Sequence, residues 1–354
     1  MRRSILSLIL ATILTGCGID QSSQTNQSSR YSITPIAQNQ SQPAITESPT
    51  PSNGTSPTTE TKNTCLNQTY QKYPPVLMKT SKSKIYSLCY TGFVLAYSAE
   101  TRTPLWVAEK LTKKRLSQDI KREDSFKDED SRIDLKDRAL LEHYRGSGYD
   151  RGHMAPNADM PDKQSQSDSF YLTNMVPQTP NSNQNDWREI EEAIRKLVKT
   201  IDRDTFVITG PAFLDKKDQN KYIPCDKIDR NSKQDIPAQH CDTKYNKVQI
   251  PSHTYKAVYF TSPKGKAYIS AYLVSNTRQP TVEVMSVCEL EKKINIQLFP
   301  NLDEATKRLV YDLPLKASQV KSQPPTELKA YKGKCAAVID ENILKAEQQK
   351  FKSY

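Results

Sequence analysis

From Gly18 to about residue 63 the chain is Ser, Thr, Gln, Asn and Pro with few large apolar side chains. Such a segment buries too little apolar surface to offset the entropy of ordering its backbone, so residues 17–63 read as a flexible tether and folding is confined to residues 64–354. As a random coil the tether would span roughly 40 Å root-mean-square. The rest of the chain shows no internal repeat and no second linker as long as the first, the pattern of one domain of about 290 residues. Hydrophobic residues make up 36% of the 354, too few for a polytopic membrane protein, while 18 Tyr are more than a wholly disordered chain carries. Only 10 Gly are present, with no G-x-G-x-x-G or Walker-type loop, which argues against nucleotide-cofactor chemistry.

Ahead of the tether, Arg2 and Arg3 precede an apolar run from Ile5 to Leu14, too short to span a bilayer and of signal-peptide length. The run ends in Leu14-Thr15-Gly16-Cys17, which resembles the lipobox of bacterial lipoproteins. That resemblance implies removal of residues 1–16, lipidation of Cys17 and an extracytoplasmic protein anchored to a bacterial membrane. The alternative is an ordinary secretory signal with an incidental Cys. Gly18 rather than Asp follows Cys17, which in some bacteria permits outer-membrane sorting; inner and outer membrane stay open. The formal charge is +11, and loss of Arg2 and Arg3 leaves +9, so the basicity belongs to the mature chain. It favours a polyanionic partner through counterion release, and would equally favour an anionic cell surface.

Six cysteines follow Cys17, and an even number in an exported chain argues for three disulfides. Sequential pairing, Cys65–Cys89, Cys225–Cys241 and Cys288–Cys335, is favoured among the 15 arrangements that six thiols permit. With no C-x-x-C pair, a zinc site is disfavoured.

Phe93–Tyr97 and Leu105–Ala108 are apolar, β-prone runs that predict an early hairpin. Thr205–Thr209, before Gly210-Pro211, predicts a further strand, and Tyr255–Thr261 with Lys266–Ser275 flank the turn signal Ser262-Pro263-Lys264-Gly265. Trp187, Ile190, Ile194, Leu197 and Ile201 put one apolar stripe on a helix over Asp186–Ile201. Ser286 and Glu289 have the spacing of a capping box. Strands mostly adjacent in sequence, mixed with few helices, predict an α+β fold around an antiparallel sheet. The stretch Lys110–Arg138, charged in both signs, reads as a solvated loop.

The chemistry is concentrated in one stretch. It begins Asp150-Arg151-Gly152-His153-Met154-Ala155-Pro156 and continues through Phe170-Tyr171-Leu172-Thr173-Asn174-Met175-Val176-Pro177-Gln178, then Asn183-Gln184, Trp187 and Glu191. These residues, in this order and spacing, resemble the DNA/RNA non-specific endonucleases, the ββα-metal nucleases that carry a D-R-G-H motif. Weaker similarity covers most of residues 90–300, leaving out the tether and the C-terminal tail.

Hydrolysing a phosphodiester takes a base to activate water, positive charge on the phosphoryl oxygens and stabilisation of the leaving oxygen. His153 exchanges protons near neutral pH, Arg151 offers a fork of donors for phosphate, and in a strand the two share a face. Asn183 offers a hard oxygen, and a single protein ligand leaves Mg²⁺ most of its waters, as it prefers. On one continuous helix Asn183 and Glu191 stand about 12 Å apart along the axis, too far for easy joint ligation, so Glu191 is expected to act through a water on the metal.

The resemblance implies the same for Glu191, a ββα-metal fold with a central antiparallel sheet and flanking helices, and Mg²⁺ as cofactor with Mn²⁺ as substitute. It also implies that His153 activates the attacking water, that Arg151 stabilises the pentacovalent transition state, and that Asn174 orients the phosphate or the catalytic His. Products would carry 5′-phosphates, and DNA and RNA would both be substrates, because attack by external water has no need of a 2′-hydroxyl. Each residue also has a plainer reading: a loop His, a solvated Arg, Asn183 as a helix N-cap, Glu191 as a surface partner of Arg195 at i+4. Two other functions fit parts of the pattern, a non-hydrolytic lipoprotein that captures extracellular nucleic acid and a phosphodiesterase for a small substrate. No residue pattern identifies an inhibitor protein or an oligomer interface.

Overall fold

The apolar runs separated by turn residues do fold into antiparallel neighbours. The structure, a computed structural model, describes residues 65–214, 221–224 and 247–351. Its strands are β1 (Val76–Leu77), β2 (Ile85–Cys89), β3 (Val94–Ser98), β4 (Thr103–Leu111), β5 (Asp150–His153), β6 (Met175–Gln178), β7 (Thr205–Ala212), β8 (Tyr222–Pro224), β9 (Lys247–Gln249), β10 (His253–Thr261), β11 (Ala267–Ser275), β12 (Val282–Met285) and β13 (Ile296–Gln297). Seven form one antiparallel sheet in the order β12-β11-β10-β7-β4-β3-β2. The expected hairpins are β3–β4 and β10–β11, the second turning at Gly265, whose φ of +81° suits glycine.

Side chains alternate across this sheet with period two, yet both faces are apolar because both are covered. Leu95, Tyr97, Val107, Val207 and Val258 face one core, and Val94, Ala96, Trp106, Ala108, Ile208 and Ala257 face the other. The first core takes the stripe of the long helix, Trp187, Ile190, Ile194 and Leu197, each buried, with Ile201 packed at its margin. Burying each such side chain contributes about 1.5–3 kcal/mol. The second core is closed by the helix Val287–Ile294, where Ser286 Oγ accepts from the Glu289 N–H at 3.0 Å, as the capping spacing predicts.

The strand expected to stop at Gly210-Pro211 instead continues through them to Ala212. The Tyr255 hydroxyl crosses above Gly210 to donate to Leu105 O at 2.9 Å, and a Cβ on Gly210 would lie 2.6 Å from that carbonyl. Disulfides join Cys65 to Cys89 and Cys288 to Cys335, two of the three pairs expected. The third, Cys225–Cys241, lies outside the described residues. Among the described residues no helix is long and apolar enough to cross a membrane.

Candidate active site

Beside the sheet, β5 and β6 pair as a separate antiparallel ribbon, with Asp150 opposite Gln178 and His153 opposite Met175. The chain then enters a helix whose first turns are π-helical, Ser182–Trp187, before the regular α-helix Arg188–Ile201. A π segment is uncommon and tends to occur at functional sites. Asn183 and Gln184 of this segment and Glu191 of the α-helix line a cleft of about 790 Å³ together with the ribbon's Asp150, Arg151 and His153. Gly152 is the residue that lets the ribbon close, since a Cβ there would fall 1.8 Å from Oε1 of the buried Gln178.

His153 and Arg151 both line the cleft, as alternation in a strand predicts. His153 Nε2 is shielded from solvent and has no hydrogen-bond partner. Burial, with the Arg122 and Arg151 guanidiniums nearby, pushes the imidazole down to about 3, so the neutral ring is the form present at physiological pH. Asp150 Oδ2 accepts from Asn183 Nδ2 at 2.9 Å and from Gln184 Nε2 at 2.8 Å. An ionised carboxylate only accepts, so Asp150 fixes which way the Asn183 amide points, nitrogen inward and oxygen free. Asp150 was not among the expected site residues, although it opens the D-R-G-H motif.

Glu191 is not the surface partner of Arg195. Arg195 pairs with Asp159 at 3.0 Å, while Glu191 Oε1 is buried and unpartnered. Burial raises the Glu191 carboxyl to about 7, against the pull of Lys256 and Arg195. Lys256 is itself buried, donating to Thr209 Oγ1 at 2.8 Å and lying 4.9 Å from the Trp187 ring centroid.

A carboxyl raised in the fold contributes stability below its ordinary range that is lost as pH rises towards 7. With EDTA present, Glu191→Gln is therefore expected to melt higher than wild type at pH 8, by on the order of 1–2 kcal/mol, and the gain to vanish near pH 4. Melting curves across that range check it; an equal gain at both pH values would refute it.

Asn174 lies outside the cleft and is fully buried. Its Nδ2 donates to Ala155 O and Ser169 O, and its Oδ1 accepts from the Ala155 N–H, all at 2.9 Å. Both amide hydrogens are spent on backbone, so the side chain ties down the chain at Ala155, two residues after His153. Asn174→Ala should cost about 2–4 kcal/mol by leaving buried backbone groups unpaired. A variant that loses activity at unchanged melting temperature would show instead that Asn174 touches substrate.

The charged stretch Lys110–Arg138 is not merely a solvated loop. Lys127 bridges to Tyr171 in parallel register, and Arg122 and Phe126 line the cleft. Tyr144, Arg145 and Arg188 also line it and were not anticipated. The missed signal is compositional: Arg145, Tyr149 and Arg151 put cations and aromatics side by side just ahead of His153.

Among the described residues no group of three His, Cys, Asp or Glu side chains could hold a metal. The cleft instead offers one free amide oxygen on Asn183 and the orphaned carboxyl oxygen of Glu191. That donor set suits a hydrated hard cation held by few protein atoms, not a zinc-type cage.

An antiparallel ribbon leading into a helix, packed beside a central antiparallel sheet with helices on its faces, defines the ββα-metal nuclease fold. A crystal structure of the EndoG/EndoGI complex superposes with a TM-score of 0.50 at 25% identity, covering 65% of this chain and 92% of that one. The sequence profile of the DNA/RNA non-specific endonucleases matches residues 75–305, and the chain belongs to that family. Human mitochondrial endonuclease G is 34% identical over 189 residues, 52% of this chain and 58% of that protein. The human mitochondrial nuclease EXOG is 30% identical over 232 residues, 62% and 58% of the two chains. The mitochondrial nuclease of Saccharomyces cerevisiae is 30% identical over 231 residues, 61% and 66%. The chain thus spans about three fifths of the length of these relatives.

Proposed function

We propose that this protein is a Mg²⁺-dependent endonuclease that hydrolyses phosphodiester bonds of DNA and RNA with little sequence preference and leaves 5′-phosphates. The observation that carries the reading is the convergence of His153, Arg151, Asn183 and Glu191 on one cleft, in a chain of this family. His153, neutral and lining the cleft, takes a proton from the attacking water. Arg151, two residues back on the same strand face, aims its donors at the phosphoryl oxygens. Asn183 and Glu191 are the residues that would hold Mg²⁺, or Mn²⁺ in its place, Asn183 directly and Glu191 through water. When bound, the cation would supply positive charge on the phosphate and would acidify water able to protonate the leaving oxygen. Nothing in this set addresses a base or a 2′-hydroxyl, which supports cleavage of both polymers.

The charge of +9 left after signal removal supports a polyanionic substrate, with affinity falling as salt rises. The Leu14–Cys17 motif supports export and a lipid anchor on Cys17, which keeps the disulfide-bonded enzyme outside the cytoplasm. Incubation with plasmid DNA and structured RNA, with Mg²⁺ or EDTA, tests the activity. Binding of both without cleavage would favour a protein that only captures nucleic acid.

A further inference from the structure

Among the described residues the Arg151 guanidinium makes no hydrogen bond and no ion pair. Its chain neighbour Asp150 is already occupied by the Asn183 and Gln184 amides. What the guanidinium does meet is an aromatic face: its Cζ lies 3.9 Å from the ring centroid of Phe126. The Phe126 ring also stands 5.9 Å from the His153 ring and 5.1 Å, edge to face, from Phe170. Phe170 in turn meets His153 edge to face at 4.9 Å. The segment is held in place by backbone, Lys127 N–H to Phe170 O at 3.0 Å and Leu172 N–H to Lys127 O at 2.8 Å.

We infer that Phe126 is a positioning residue for both Arg151 and His153, a shelf that orients the guanidinium while leaving its N–H donors unspent. A flat guanidinium attracted through its face keeps its in-plane donors directed outward, whereas an ion pair would consume them. The donors have to be free in the resting enzyme if they are to meet charge that develops only in the transition state. The same ring limits the swing of the imidazole, so one side chain registers the phosphate fork against the base. Phe126 lies 25 residues before Arg151 and outside the D-R-G-H motif.

The inference rests on the nuclease reading above, and its test separates the two. Phe126→Leu fills much the same volume without the aromatic face, and Phe126→Tyr keeps the face. Phe126→Leu is expected to lower kcat and kcat/KM together by roughly ten-fold at unchanged melting temperature, with Phe126→Tyr restoring them to within about three-fold of wild type. Independently of turnover, the ring current of Phe126 should shift the Arg151 side-chain NMR resonances upfield, an effect that Phe126→Leu abolishes and Phe126→Tyr retains. Equal activity in wild type and Phe126→Leu, equal loss in both variants, or unshifted Arg151 resonances in the wild type would each overturn the shelf and leave the nuclease reading intact. A wild type that fails to cleave while Arg151 shows the shift would overturn the nuclease reading and keep the geometry.

Discussion

His153→Ala is expected to lower hydrolysis of DNA by at least the ~10²–10⁴-fold attributed to a general base while the variant stays folded. The fold should tolerate it because the imidazole contributes ring contacts with Phe126 and Phe170 and no hydrogen bond from Nε2. Truncation therefore leaves no buried partner unpaired there. Activity should suffer because the other carboxylates that line the cleft are differently placed: Asp150 already accepts from the Asn183 and Gln184 amides, and Glu191 is raised to about 7 by burial. Steady-state rates and melting curves on the same preparation check both halves. Full activity would remove His153 as the base.

Asn183→Ala is expected to abolish the turnover that the proposed mechanism ties to added Mg²⁺. The amide is held at its nitrogen by Asp150, so the substitution removes the oxygen proposed to bind the cation directly. Gln184 still donates to Asp150 at 2.8 Å, so the carboxylate keeps a partner and the ribbon should hold. The effect is read as a flat Mg²⁺ titration of activity together with loss of Mg²⁺ binding by calorimetry. A titration unchanged from wild type would strike Asn183 from the metal site.

Much of the fold was legible because its signals are local. The stripe from Trp187 to Ile201 follows the helical period and buries as that period requires, and the two hairpins are announced by their turns. The D-R-G-H strand could be read for the face shared by Arg151 and His153. Other features were not readable for physical reasons. Phe126 sits in a run of mixed charge without periodicity, and its place in the cleft depends on pairing between Lys127 and Tyr171, a contact that no local pattern announces.

Distance in sequence hid other contacts in the same way. Arg195 is an i+4 neighbour of Glu191, but it turns to Asp159, 36 residues upstream. Phe351 returns from the far end of the chain to pack 5.8 Å from Trp106, which its flanking sequence does not foreshadow. The π-helical turn at Ser182–Trp187 likewise has no composition of its own, and it sets where Asn183 faces.

The measurement that bears most directly on the account is incubation of the purified, oxidised protein with supercoiled plasmid and with structured RNA, in Mg²⁺ or EDTA, beside His153→Ala. The account predicts that wild type degrades both polymers in Mg²⁺ and neither in EDTA, to fragments with 5′-phosphates, and that the variant leaves both intact. Intact polymers with the folded wild type in Mg²⁺, or cleavage that survives EDTA or the loss of His153, would contradict it.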